Sequence, residues 1–208
     1  MEIADALFVI IIIMFSAVIH EVMHGVAADR LGDPTARYAG RLTLNPIPHL
    51  DLFGSIILPA VLAIAQSPIF FGWAKPVPYN PFNLRPGRFS EAIVAAAGPF
   101  SNLGIALVVG TIMRFSPLDT VLYAILFLVV LVNVMLFLFN LIPIPPLDGS
   151  KILSALLPRG IARAYDAWRL RMETNPFLGM GLVLLIVVIL GRSFGGFVFS
   201  LAQMIAGV

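Results

Sequence analysis

Residues 6–28 constrain this chain more than any other stretch: they are apolar apart from Ser16 and three ionisable side chains, His20, Glu21 and His24. At about 1.5 Å per residue a run of this length crosses a hydrocarbon layer about 30 Å thick. Backbone polar groups in lipid must be satisfied within the segment, so the run predicts a spanning helix. Gly32, Asp33 and Pro34 end it. Arg30, Arg37 and Arg41 follow, with no basic residue before it, which places its end in the cytoplasm by the positive-inside rule.

The rest of the chain points the same way. Of 208 residues, 60% are hydrophobic and 12% charged, which makes the bilayer the expected solvent. The fold class predicted is an all-α polytopic membrane protein with about four to six membrane segments, forming one domain over residues 1–208. A net charge of +2 gives no footprint for nucleic acid. The absence of cysteine excludes disulfides and thiolate ligands, so a metal would be held by His, Asp or Glu. The acidic residues Glu2 and Asp5 are unlike the basic start of a signal peptide, so the first apolar run is expected to remain in the mature protein.

Further spans are expected at residues 92–113 and 121–141. Between the first and second full spans, residues 41–45 read as an edge strand and the proline-rich residues 72–81 as a second extended segment, a small β-like region. Residues 53–71 are apolar but broken by Pro59 and Pro68, and Lys75, Arg85 and Arg88 beyond them argue for a re-entrant path. Lys151, Arg159, Arg163, Arg169 and Arg171, with Tyr165 and Trp168, predict an interfacial cytoplasmic helix. The tail at residues 177–208, broken near Gly191 and Gly196, is one span plus a shorter segment or two short ones.

Ionisable residues within a span cost about 2.5–3.5 kcal/mol each and mark function. His20-Glu-Val-Met-His24 sets two imidazoles four positions apart on one helix face, a spacing for zinc, with Glu21 in reach of an activated water. The alternative is that the three side chains line a polar helix contact. A catalytic zinc takes three protein ligands and leaves a position open. Asp148 is the strongest third candidate, since prolines expose the chain before it and Gly149 lets the backbone bend; it also reads as the cap of a helix beginning near Ser150. Asp51 and His49 are rivals, and His49 is placed near the site as an orienting or substrate-contacting group or as an ordinary loop histidine. If residues 53–71 make no net crossing, Asp148 returns to the cytoplasmic side where the first helix ends.

These residues resemble the site-2 protease family, the M50 intramembrane zinc metalloproteases. The similarity runs from the His-Glu-Val-Met-His motif through Gly98-Pro-Phe-Ser-Asn102 to Asn140-Leu-Ile-Pro-Ile-Pro-Pro-Leu-Asp-Gly149, and the middle block is similar to the compact branch without PDZ or CBS domains. The resemblance implies one Zn2+ per chain on His20, His24 and Asp148, with Glu21 catalytic and Asn140 near the substrate. Asn102 and Asn133 have weaker claims to substrate contact and also read as helix bridges.

The implied activity is hydrolysis of peptide bonds within or next to transmembrane helices of protein substrates. It implies a multi-pass protein of a prokaryotic inner membrane, with its site towards the cytoplasm. The substrate is expected to add as an extended strand beside residues 41–45. Three other readings make different demands. A zinc transporter calls for ionisable clusters on further spans. A metal-binding scaffold without catalysis tolerates Glu21→Gln. A protease using a downstream glutamate needs a Glu-rich helix that Glu91 and Glu173 lack.

Overall fold

The computed structural model describes residues 3–57, 61, 74–117 and 119–208. The chain packs as two compact units, Met1–Leu84 and Arg85–Val208.

The first unit is built on α1 (Ile3–Arg30), 28 residues long and so about 42 Å at the helical rise. Among its buried positions, Ile12, Ser16, His20, His24 and Ala28 recur every four residues and form a stripe, and Val18 and Gly25 are buried beside it. Phe8, Ile10, Ile11, Ile13 and Phe15 are exposed, as lipid-facing side chains of a span should be. The polar residues of the first span therefore lie on its protein-facing side. After α1 the chain turns through Gly32 at φ 107°, a conformation that favours glycine, into the short α2 (Thr35–Tyr38).

Asp33, predicted only as part of a helix break, organises this turn. Its fully buried carboxylate accepts from the Thr35 hydroxyl, the Asn83 amide at 2.9 Å, and the backbone N–H groups of Asn80 at 2.6 Å and Thr35 at 3.2 Å. Burial opposes its ionisation, but these four bonds outweigh it and hold the carboxyl below its ordinary pKa. Residues 80–83 are thereby tied to the end of α1.

Residues 41–45, expected as an edge strand, are irregular chain, and among the described residues no strand is formed. The reason lies in the available donors. Pro76 and Pro78 carry no N–H, and the Lys75 and Val77 N–H groups go to the His49 carbonyl and the Glu21 carboxylate rather than to residues 41–45. Single bonds fasten the segments instead: Lys75 N–H to the His49 carbonyl at 2.8 Å and the Arg41 guanidinium to the Lys75 carbonyl at 2.8 Å. The expected re-entrant path at residues 53–71 falls outside the described residues except for Val61 and residues 53–57, which belong to a π-helical turn at Leu52–Ile57.

The second unit comprises α3 (Ser90–Phe115), α4 (Thr120–Asn140), α5 (Asp148–Leu156), α6 (Arg159–Thr174) and α7 (Pro176–Ala206). Residues 8–30 of α1, together with α3 and α4, are long and apolar enough to cross a membrane, and α6 with the start of α7 forms a bent pair that makes a fourth candidate. The tail is not broken at Gly191–Gly196: residues 176–206 form one helix of 31 residues. Ala106 of α3, Val130 and Val134 of α4, and Ala202 of α7 form a fully buried apolar core. Asn102 of α3 donates to Asn133 of α4 at 2.9 Å, and both side chains are fully buried. Inside an apolar bundle such an amide pair satisfies groups that lipid cannot.

Candidate metal centre and active site

His20, Glu21 and His24 each present a ligand atom to one point, these atoms lying within 4.8 Å of one another. The two imidazole rings meet edge to face with centroids 4.7 Å apart. His20 is 6% exposed and His24 9%, so both are withdrawn from lipid. Paired imidazole nitrogens with a neighbouring carboxylate suit a borderline metal such as zinc. Close packing shapes the wall here. A Cβ on Gly25 would approach Leu42 Cδ2 to 2.6 Å and Val77 Cγ1 to 2.8 Å, so the glycine lets both side chains close on the helix beside His24.

Glu21 has a partner that sequence reasoning missed. The Val77 N–H donates to Glu21 Oε2 at 2.8 Å, orienting the carboxylate from outside its own helix. Only the unusual spacing of prolines at 76 and 78 hinted at it, because Val77 holds the one N–H in that tripeptide.

His49 is almost fully buried, and its Nε2 lies 2.9 Å from the Thr43 carbonyl. A carbonyl only accepts, so Nε2 carries the proton and Nδ1 of the neutral ring is an acceptor. That Nδ1 has no hydrogen-bond partner among the described residues. Asp51, the rival ligand, caps the π-helical turn instead: its Oδ1 accepts from Gly54 at 2.6 Å and Phe53 at 3.1 Å.

Asp148 stands in the second unit as the first residue of α5, and the cap position is Leu147, one residue earlier. Gly149, expected as a place where the backbone can bend, has no positive φ and permits a close approach. A Cβ there would lie 2.3 Å from the Leu141 carbonyl oxygen, so the start of α5 packs directly on the end of α4. Asn140 ends α4, and its side-chain amide donates to the Leu136 carbonyl at 3.0 Å. Asn102 bonds to Asn133, the helix-bridging arrangement.

The family model for peptidase family M50 matches residues 118–169, which include α4 and Asp148. The "Putative zinc metalloprotease" YwhC of Bacillus subtilis is 37% identical over 163 residues, covering 74% of this chain and 71% of YwhC. Rip2 of Mycobacterium tuberculosis, under the same description, is 31% identical over 193 residues, covering 90% of this chain and 68% of Rip2. No solved structure matches. With apolar spans, a metal-ligating triplet on the first of them, and these similarities over most of its length, the chain belongs to peptidase family M50, the site-2 protease family.

Proposed function

We propose that this protein is an intramembrane zinc metalloprotease that hydrolyses peptide bonds within or next to transmembrane helices of membrane-protein substrates. The observation that carries the reading is the convergence of the buried His20 and His24 and the half-buried Glu21 on one apolar span. His20 and His24 would hold one Zn2+ per chain, with Asp148 as third ligand. Bound there, zinc supplies Lewis-acid activation of water and polarisation of the scissile carbonyl.

Glu21 is the general base. Held at Oε2 by Val77, its carboxylate takes the proton from the attacking water and passes it to the leaving amine. Burial of the two imidazoles beside it keeps the site away from lipid. A substrate helix must unwind to expose its peptide groups. It would then lie extended along residues 41–45, where the chain is non-helical and Leu44 is exposed, with Asn140 contacting it and His49 fixing the Thr43 carbonyl. The membrane is that of a prokaryotic cell, with the site towards the cytoplasm, as the arginines following α1 and the basic α6 suggest.

A transporter is less well supported, since among the described residues one metal-ligating group is found, and it lies on one helix. The test is cleavage of a single-helix membrane substrate by detergent-purified protein before and after chelation. Loss of cleavage on chelation and its return with stoichiometric zinc support the proposal. Cleavage that survives complete metal removal refutes it.

A further inference from the structure

The second unit contains a cavity of about 350 Å³ that the protease chemistry does not use. It opens among the N-terminal end of α3, α5 and α6 as far as Arg169. Five cationic side chains line it: Arg88, Lys151, Arg159, Arg163 and Arg169. Two carboxylates, Glu91 and Asp166, face them.

Both carboxylates are already engaged. Arg169 donates to Glu91 Oε1 at 2.9 Å and lies 3.5 Å from Asp166 Oδ1, which also accepts from the Ser154 hydroxyl at 2.6 Å. The Arg88 guanidinium is turned towards the Leu157 carbonyl. Arg159 and Arg163, one helical turn apart on α6, have no carboxylate partner among the described residues. The lining thus carries a surplus of positive charge around a space large enough for a small polar group. Guanidinium forks match the oxygens of a phosphate in pairs.

The position of the cavity identifies the source of that phosphate. Ser90 begins an apolar 26-residue span, so Arg88 and Glu91 mark the depth at which this span leaves the hydrocarbon. Phe89 and Leu156, each next in sequence to a lining residue, are exposed. A soluble anion gains nothing from an apolar rim, whereas a lipid presents its phosphate and its acyl chains together. We propose that this cavity is a binding site for the phosphate-bearing headgroup of an anionic phospholipid, with Arg159 and Arg163 as its principal contacts.

The test uses the full chain in a zwitterionic detergent, with native mass spectrometry following retention of phosphatidylglycerol and of phosphatidylcholine with the same acyl chains. Wild type should hold phosphatidylglycerol at least about tenfold more tightly. The Arg159→Gln/Arg163→Gln variant should lose that preference. Arg159→Lys/Arg163→Lys, which keeps the charge but not the forks and so preserves folding, should fall between them. Arg171→Gln, on the same helix but outside the cavity, should match wild type.

Equal retention of the two lipids by wild type would overturn the proposal, as would an undiminished preference in the lysine and glutamine variants. So would binding of inorganic phosphate as tight as that of phosphatidylglycerol, which would make a soluble phosphate the occupant.

Discussion

The Val77 N–H donates to Glu21 Oε2 at 2.8 Å across 56 positions of sequence. Pro76 and Pro78 on either side have no N–H to offer, so the carboxylate has a single backbone donor in this tripeptide and a single orientation to take from it. Val77→Pro removes that donor and should lower kcat/KM by about tenfold to a hundredfold with zinc content intact, the scale of a misplaced catalytic group. Val77→Ala keeps the N–H and should retain most activity. Comparable losses in the two variants, measured by single-helix substrate cleavage, would show that the side chain and not the hydrogen bond matters.

Gly149 sits against the end of α4, and any Cβ there meets the carbonyl oxygens of Leu141 and Ile142 at 2.3 and 2.6 Å. Backbone cannot yield as a flexible side chain does, so Gly149→Ala must displace the start of α5 and Asp148 with it. We expect about 1–3 kcal/mol of destabilisation from overpacking and a weaker zinc affinity. Thermal melting and zinc titration in detergent check this; wild-type values in both would remove Gly149 from the support of the site.

Asn102 and Asn133 are joined at 2.9 Å in the core of the second unit, and Asn133 also donates to the Val129 carbonyl at 2.9 Å. Asn102→Ala leaves the Asn133 carbonyl oxygen without this donor, at a cost of about 0.6–1.7 kcal/mol for an interhelical bond in a membrane protein. The expected outcome is a lower melting temperature with unchanged KM per folded molecule. A raised KM at wild-type stability would instead make Asn102 a substrate contact.

Asp33 titrates below its ordinary value because four hydrogen bonds to its ionised form outweigh its burial. Its folded pKa lies below its unfolded pKa, so its contribution to stability is fully present above pH 3.8 and is lost as pH falls below that value through the folded pKa. Asp33→Asn should therefore be less stable than wild type at neutral pH, with the gap narrowing below about pH 4. Melting curves from pH 7 to 3 test it; a gap independent of pH would show that the charge does not matter.

The spans were legible in the sequence because each is a long unbroken apolar run, and the expected spans at residues 92–113 and 121–141 differ from α3 and α4 by only a few terminal residues. The His20 and His24 pairing was legible because helical periodicity alone sets it. Partnerships between distant segments were not. Nothing local to Glu21 names Val77, and nothing local to Asp33 names Asn80 or Asn83, since these bonds form only when the chain folds back. The edge strand expected at residues 41–45 is not formed, because the Lys75 and Val77 N–H groups of the facing extended segment bond to the His49 carbonyl and Glu21 instead, which sequence does not show. The close approach at Gly149 was not legible, because sequence cannot tell a glycine that bends from one that admits a neighbouring backbone.

The most direct test of the central claim is zinc analysis of detergent-purified protein coupled to cleavage of a single-helix membrane substrate, comparing wild type with Glu21→Gln and Asp148→Asn. Wild type and Glu21→Gln should each carry one zinc per chain, Asp148→Asn should bind zinc more weakly, and only wild type should cleave. Full cleavage by Glu21→Gln with its metal in place would contradict it.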